Sequence, residues 1–216
     1  MGTRDLVIFD VDGTLYYQTP VRVRMAWRLA WFYGPRPSRW PELGLLRDFR
    51  RAREADDSAA DKDLIASLAT RHRLPSAQAE AILERWLLSE PLAAIVAHAD
   101  SRLLALIRQA AQSGIRVAIL SDYPTEPKVA ALGIDADAQF CTARPPIEAR
   151  KPSPKGIKTV LKHFAVPPEK ALMVGDRDSK DGASARAAGV EAVILPRTHR
   201  GRKAKLAHLR QALDLV

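Results

Sequence analysis

Asp5-Leu6-Val7-Ile8-Phe9-Asp10-Val11-Asp12-Gly13-Thr14-Leu15 is the most informative stretch of the 216 residues. Leu6 to Phe9 has the length and composition of a buried strand. It runs directly into two carboxylates, Asp10 and Asp12, and then into Gly13 and Thr14. Residues two apart on an extended segment point the same way, so the C-terminal end of the strand brings both acids to one place. Like charges that close repel, and one carboxyl takes up a proton unless a cation joins them. Two readings are open here: an Asp-Gly turn with two solvated acids, or a site that uses the pair for metal or proton-transfer chemistry. The rest of the chain separates them.

From about residue 100 onward strands and helices alternate. Val117 to Leu120 is a short apolar strand running into Ser121-Asp122, Gln139 to Thr142 a weaker one, Ala171 to Val174 another that ends in Gly175-Asp176, and Ala192 to Leu195 the last. Helical patterns lie between them at 102–112, 127–132, 154–164 and 180–188, the first, second and fourth closed by Gly114, Gly133 and Gly189. Such alternation predicts an α/β fold, a Rossmann-like parallel sheet covered on both faces, with the ligand beyond the C-terminal ends of the strands. Three strands end in polar groups there: Asp10 and Asp12, Ser121 and Asp122, and Asp176.

Residues 17–98 read differently, as helices without a clear strand. Pro20 opens the first, with Val21, Met25, Leu29 and Phe32 spaced by threes and fours and Trp27, Ala30 and Trp31 widening the apolar stripe; this aromatic stripe is read as helix packing. Further helices are expected over 43–53, 61–72 and from Pro75-Ser76, with Ser76 as N-cap and Ile82, Leu83, Trp86 and Leu87 facing inward. The predicted organisation is a core of residues 1–16 and 99–216 and an inserted helical cap of residues 17–98, placed to act as a lid.

Composition narrows the function classes. Hydrophobic residues make up 47%, enough for a real core. Cys141, the single cysteine, excludes an internal disulfide and a cysteine zinc cluster, and its neighbours suggest a small core residue. No apolar run approaches a membrane span and the first residues lack a signal peptide's pattern, so a cytoplasmic protein without membrane contact is expected. The net charge of +9 favours an anionic partner. A phosphorylated small molecule satisfies that charge as well as nucleic acid does; nucleic acid is possible but not favoured, since the basic run Arg197 to Lys205 has no interleaved aromatics for stacking. That run is read as part of a solvated terminal helix.

Taken together, Asp10-Val11-Asp12-Gly13-Thr14, Ser121, Lys151 in its Lys-Pro-Ser-Pro setting, and Gly175-Asp176 with Asp181 resemble the four motifs of the haloacid dehalogenase-like (HAD) superfamily, in order and at strand ends or a helix start. The resemblance covers residues 1–16 and about 99–195. It implies a Mg²⁺-dependent phosphatase acting on a small phosphate ester. Asp10 is then the nucleophile, forming an aspartyl-phosphate, and Asp12 the acid that protonates the leaving oxygen and the base that activates water. An Asp at this second position argues for phosphate chemistry over carbon–halogen hydrolysis, because the dehalogenase branch lacks it. Asp176 completes a Mg²⁺ site with the Asp10 side chain and the Asp12 main-chain carbonyl, oxygen ligands of the kind Mg²⁺ takes, and Asp181 supports it through a metal-bound water. Ser121, with the backbone N–H of Asp122, holds a phosphoryl oxygen, while the Asp122 side chain caps the next helix. Lys151 supplies a fixed positive charge to the phosphate and the nucleophile, and Thr14 orders the loop.

One departure stands out: where phosphoglycolate phosphatases usually carry an acid and a serine shortly after the first motif, this chain has Tyr16-Tyr17-Gln18. The alternatives are a phosphomutase like the β-phosphoglucomutases, which shares the core and the cap, and a non-catalytic HAD-like module binding nucleic acid or protein. Arg22, Arg24, Arg28, Arg47, Arg50 and Arg51 are candidates for gripping a second anionic group on the substrate.

Overall fold

The computed structural model describes residues 4–55 and 61–215. The chain forms two compact units, Met1–Gln18 with Ile95–Val216, and Thr19–Ala94. The first contains a five-stranded, all-parallel sheet of β1 (Leu6–Phe9), β2 (Arg116–Ser121), β3 (Ala138–Cys141), β4 (Ala171–Gly175) and β5 (Glu191–Ile194), in the order β3-β2-β1-β4-β5. Leu6 to Phe9 are fully buried, as are Val117 to Leu120 and Ala171 to Val174. That is why these strands read as continuous apolar runs: a strand covered on both faces cannot alternate. The registers Phe9 beside Ile119 and Phe9 beside Val174 set the ends of β2, β1 and β4 next to one another.

The helices of this unit are α6 (Ser101–Gln112), α7 (Glu126–Ala131), α8 (Lys155–Phe164), α9 (Ala183–Ala187) and α10 (His199–Ala212). Asp100 caps α6 by accepting the Leu103 N–H at 3.3 Å. The helix expected over 180–188 is divided: a wide π-type turn at Asp178–Gly182 precedes α9 and turns Asp181 inward. The basic segment at 197–205 is not a solvated helix throughout. Arg202, Leu206 and Leu209 are buried, and α10 packs on α6 and β5. Cys141 is half-buried at the end of β3 rather than in the core. Among the described residues no helix is long and apolar enough to cross a membrane.

The second unit is helical: α1 (Gln18–Tyr33), α2 (Trp40–Ala55), α3 (Asp61–Arg71), α4 (Ser76–Glu84), which continues as a π-type turn at Arg85–Ser89, and α5 (Leu92–Ala97), which begins here and runs into the first unit. Phe32, Tyr33 and Trp86 meet at its centre, ring centroids 4.9–5.6 Å apart, and Glu42 accepts the buried Tyr33 hydroxyl at 2.8 Å. The expected N-cap Ser76 is instead the first helical residue; Pro75 holds the cap position and makes no side-chain cap bond. A larger correction concerns α1. Trp27 and Trp31 are 74% and 86% exposed, not packed. Val21, Met25 and Tyr33 form the buried stripe, and Trp27 lies two residues from Met25, about 200° round the helix at about 100° per residue. The six arginines singled out for substrate contact are all exposed. Arg28 pairs with Glu90, and Arg47 with Asp48.

Candidate active site

The adjacent ends of β2, β1 and β4 bring together the polar groups that follow them. Asp10 takes its N–H bond from β4, to the Val174 carbonyl at 2.9 Å, and the chain then turns with Leu15 N–H on the Val11 carbonyl. Gly13 stands at φ +92°, and a Cβ there would lie 2.5 Å from Asp176 Oδ2. Only glycine lets the backbone adopt this conformation and pass so close to that carboxylate. Gly175 serves the neighbouring acid in the same way, since a side chain on it would collide with Asp181.

Lys151 is the centre of the cluster. Only 2% exposed, it donates from Nζ to Asp10 Oδ1 at 2.5 Å, to Asp181 Oδ1 at 2.6 Å and to the Leu120 carbonyl at 3.3 Å. Thr14 donates its hydroxyl to the other Asp10 oxygen at 3.0 Å, the ordering role expected of it. Ser121 is buried and accepts the Tyr123 N–H at 3.2 Å. Asp122 does not cap the next helix. Its Oδ1 accepts the Thr142 hydroxyl at 2.6 Å and the Lys151 N–H at 3.2 Å, while Thr125 holds the cap position of α7 without a side-chain bond. Asp122 therefore ties the end of β2 to the loop that presents Lys151.

Asp10, Asp176 and Asp181 are all buried and each offers a carboxylate oxygen within 4.8 Å of the other two. Their charge is not balanced. Lys151 is shared between two carboxylates, so one negative charge in that trio lacks a partner. Burial accordingly drives the Asp10 carboxyl up to about 8; Lys151 opposes this, and Asp181 and Asp12 add to it. Burial alone would lower the Lys151 ammonium, but the charges of Asp10, Asp181 and Asp122 raise it instead. Burial also raises Asp176, against Arg197, whose Nε donates to Asp176 Oδ2 at 2.7 Å. Asp176 Oδ1 is buried with no hydrogen-bond partner. An orphaned carboxylate oxygen, three converging acids and a shortage of positive charge fit a hard divalent cation held by oxygen ligands.

Asp12 stands apart from that trio. Its carboxylate accepts Lys128 Nζ on both oxygens, at 2.6 and 2.8 Å, and the Tyr16 hydroxyl on Oδ1. Burial pushes this carboxyl up, but the Lys128 charge and the hydrogen bonds from Lys128 and Tyr16 outweigh it and hold Asp12 below the usual carboxylate range. Lys128 was missed in the sequence because it lies in a short helix outside the four motifs. One signal was available: it is the sole cation between Arg116 and Arg144. Arg197 and Arg202 were missed because they were grouped with a solvated basic run.

A family model described as haloacid dehalogenase-like hydrolase matches residues 4–189. The chain is 31% identical over 148 residues to phosphoglycolate phosphatase of Rhodospirillum rubrum, covering 67% of this chain and 54% of that protein, so it spans about half the length of this relative. Its fold is shared with a 2-haloacid dehalogenase from Pseudomonas syringae pv. Tomato, TM-score 0.68 at 20% identity over 98% of this chain and 99% of the other. It is shared also with a HAD phosphatase from Thermococcus onnurineus, TM-score 0.61 at 20% identity over 97% of each. With residues 4–189 matched by the family model, the chain belongs to the haloacid dehalogenase-like hydrolase family.

Proposed function

We propose that the protein is a Mg²⁺-dependent phosphatase that hydrolyses a small phosphorylated metabolite through an aspartyl-phosphate on Asp10. The observation that carries this reading is the buried trio Asp10, Asp176 and Asp181, one positive charge short, with Lys151 bonded to two of its members. The likeness to a phosphoglycolate phosphatase supports phosphate monoesters as the substrate class. Asp10, Asp176 and the Asp12 main-chain carbonyl would hold Mg²⁺, with Asp181 behind them; when bound, the ion neutralises phosphate charge and leaves the Asp10 carboxylate free of its proton.

In the first half-reaction an Asp10 carboxylate oxygen attacks phosphorus, and the ester P–O bond breaks as the leaving oxygen takes a proton from Asp12. In the second, Asp12 takes a proton from water, whose oxygen attacks phosphorus, and the P–O bond to Asp10 breaks to give inorganic phosphate. Throughout, Lys151 holds Asp10 in line and offsets charge on the phosphoryl oxygens, while Ser121 and the Asp122 N–H hold one of those oxygens. The helical unit, inserted in the chain directly after this loop, is assigned as the cap. Phosphate release from a panel of phosphorylated metabolites with Mg²⁺ tests the reading, and no release from any monoester would overturn it.

Two further results are expected. Binding the cation displaces the proton held by Asp10, whose carboxyl burial pushes up to about 8 without metal. Mg²⁺ affinity should therefore rise by about tenfold per pH unit below that value and level off above it. Calorimetric titration from pH 6 to 9 reads this directly, and a flat profile would count against the cluster as the cation site. Lys128→Met removes the charge that lowers Asp12, so the Asp12 carboxyl rises. Its base form is then lost at a higher pH, and the acidic limb of the kcat profile should move upward. An unmoved limb would show that Asp12 does not serve as the base.

A further inference from the structure

Arg202, on α10, is the largest fully buried side chain among the described residues, 1% exposed. It reaches across to the loop that carries the nucleophile: Nη2 donates to the Gly13 carbonyl at 3.2 Å and to the Thr14 carbonyl. Its Nε lies 3.0 Å from Asp100 Oδ2, and its guanidinium sits 4.8 Å above the centre of the Tyr17 ring. His199, also on α10, stacks on the Tyr17 ring with centroids 3.7 Å apart. Burying a guanidinium is costly unless its charge and donors are matched. Here Nη1 has no hydrogen-bond partner among the described residues, so the arrangement is not a minimum-cost way to fill space.

What Arg202 holds is a junction. Tyr17 N–H donates to the His98 carbonyl at 2.9 Å and Asp100 N–H to the Leu15 carbonyl at 2.9 Å, and Tyr16 pairs with Ala99 as an antiparallel bridge. The Tyr17 hydroxyl donates to Asp100 at 3.3 Å. The segment leaving the sheet unit and the segment returning to it are thus bonded to each other, and Arg202 binds both. Upstream on the same segment, Thr14 bonds Asp10 and the Tyr16 hydroxyl bonds Asp12. A shift of the Gly13–Thr14 backbone therefore moves partners of both carboxylates.

We propose that Arg202 is a positioning residue for the reaction at Asp10, acting through the Gly13–Thr14 carbonyls, and that α10 is part of the catalytic scaffold. Arg202 lies beyond residues 4–189, where the family match ends. The sheet unit supplies the reacting groups, and a residue outside the shared motifs sets their spacing. The rate effect rests on the proposed phosphatase activity; the effect on the loop does not.

The test replaces the ion pair as a whole, because removing Arg202 alone would strand the Asp100 carboxylate in the interior. Arg202→Met in an Asp100→Asn background keeps side-chain volume, charge balance and a residue type able to cap α6. Measured against wild type, kcat should fall by about a hundredfold, the scale of a small misplacement at a reacting centre, with KM within about twofold of wild type. Amide hydrogen exchange at Leu15, Tyr17 and Asp100 should quicken while the β4 amides stay protected. Arg202→Lys, which keeps the charge but not the fork of donors, should fold, show the same local loss of protection and recover only part of the rate. Unchanged kcat together with unchanged exchange at those three amides would overturn the proposal and leave Arg202 as a stabilising ion pair. If wild-type protein hydrolyses no monoester, the phosphatase reading falls, and the exchange result still decides the role of Arg202.

Discussion

Asp10→Asn should abolish phosphate release and leave the protein folded. The amide oxygen is a poor nucleophile and cannot form the acyl phosphate, so the loss should be roughly 10⁴-fold or more, as for other essential nucleophiles. The fold should survive because asparagine has the same shape and Lys151 keeps its bond to Asp181 at 2.6 Å. The variant also carries a signature in stability. Burial pushes the Asp10 carboxyl up to about 8 in the metal-free folded protein, from an ordinary carboxylate value of 3.8. The folded state therefore holds a proton that the unfolded chain releases, and the stability this contributes is present at low pH and lost as pH rises toward 8. Asparagine does not titrate. Without metal, the variant should melt above wild type at pH 8, with a smaller gap at pH 5. Turnover above about one per cent of wild type would sink the assignment of the nucleophile.

Lys151→Ala should be as damaging for a different reason. The side chain neutralises two buried carboxylates at once, and breaking a buried pair leaves uncompensated charge, a loss of about 3–5 kcal/mol. The reaction loses a fixed cation beside the phosphate, so kcat should drop by about a thousandfold. The two losses should separate on titration with Mg²⁺. A divalent cation among the acids can restore much of the melting temperature, but it cannot stand where the ammonium stood between Asp10 and Asp181. Thermal melts and steady-state rates over a Mg²⁺ series read both, and a decrease in kcat of less than tenfold would remove Lys151 from the reaction.

The centre of the sheet was legible because β1, β2 and β4 are buried on both faces and run apolar to their ends. The first site residues were legible because their positions at those ends follow from the connectivity alone. In the structure Asp10, Asp176 and Asp181 converge, and Thr14 and Lys151 reach Asp10. Asp122 was misread because an aspartate before a helix usually caps it; here the nearer demand came from Thr142 and the Lys151 N–H, a pairing across 20 and 29 residues that no local pattern records. Lys128 and Arg202 were invisible for the same reason. Lys128 lies 116 residues from Asp12 and Arg202 188 from Thr14, and in sequence each is a basic residue in a helix. Tyr16 and Tyr17 were noticed only as a departure from a subfamily pattern. In the structure the Tyr16 hydroxyl bonds Asp12 and the Tyr17 ring lies against the Arg202 guanidinium. Trp27 and Trp31 were lost to phase: they share the composition of the buried stripe but not its side of the helix.

Trp27, Trp31, Trp40 and Trp86 are all the tryptophans in the chain, and all fall within Thr19–Ala94. The protein thus carries its strong fluorophores in one of its two units. Emission excited at the indole band comes from the helical unit alone, three of the rings exposed and one buried, while the sheet unit with the acids and Lys151 is dark. A fluorescence melt therefore follows the helices only, and a far-ultraviolet melt follows both units. Coincidence or separation of the two curves distinguishes one cooperative unfolding event from two, without adding a label to the protein.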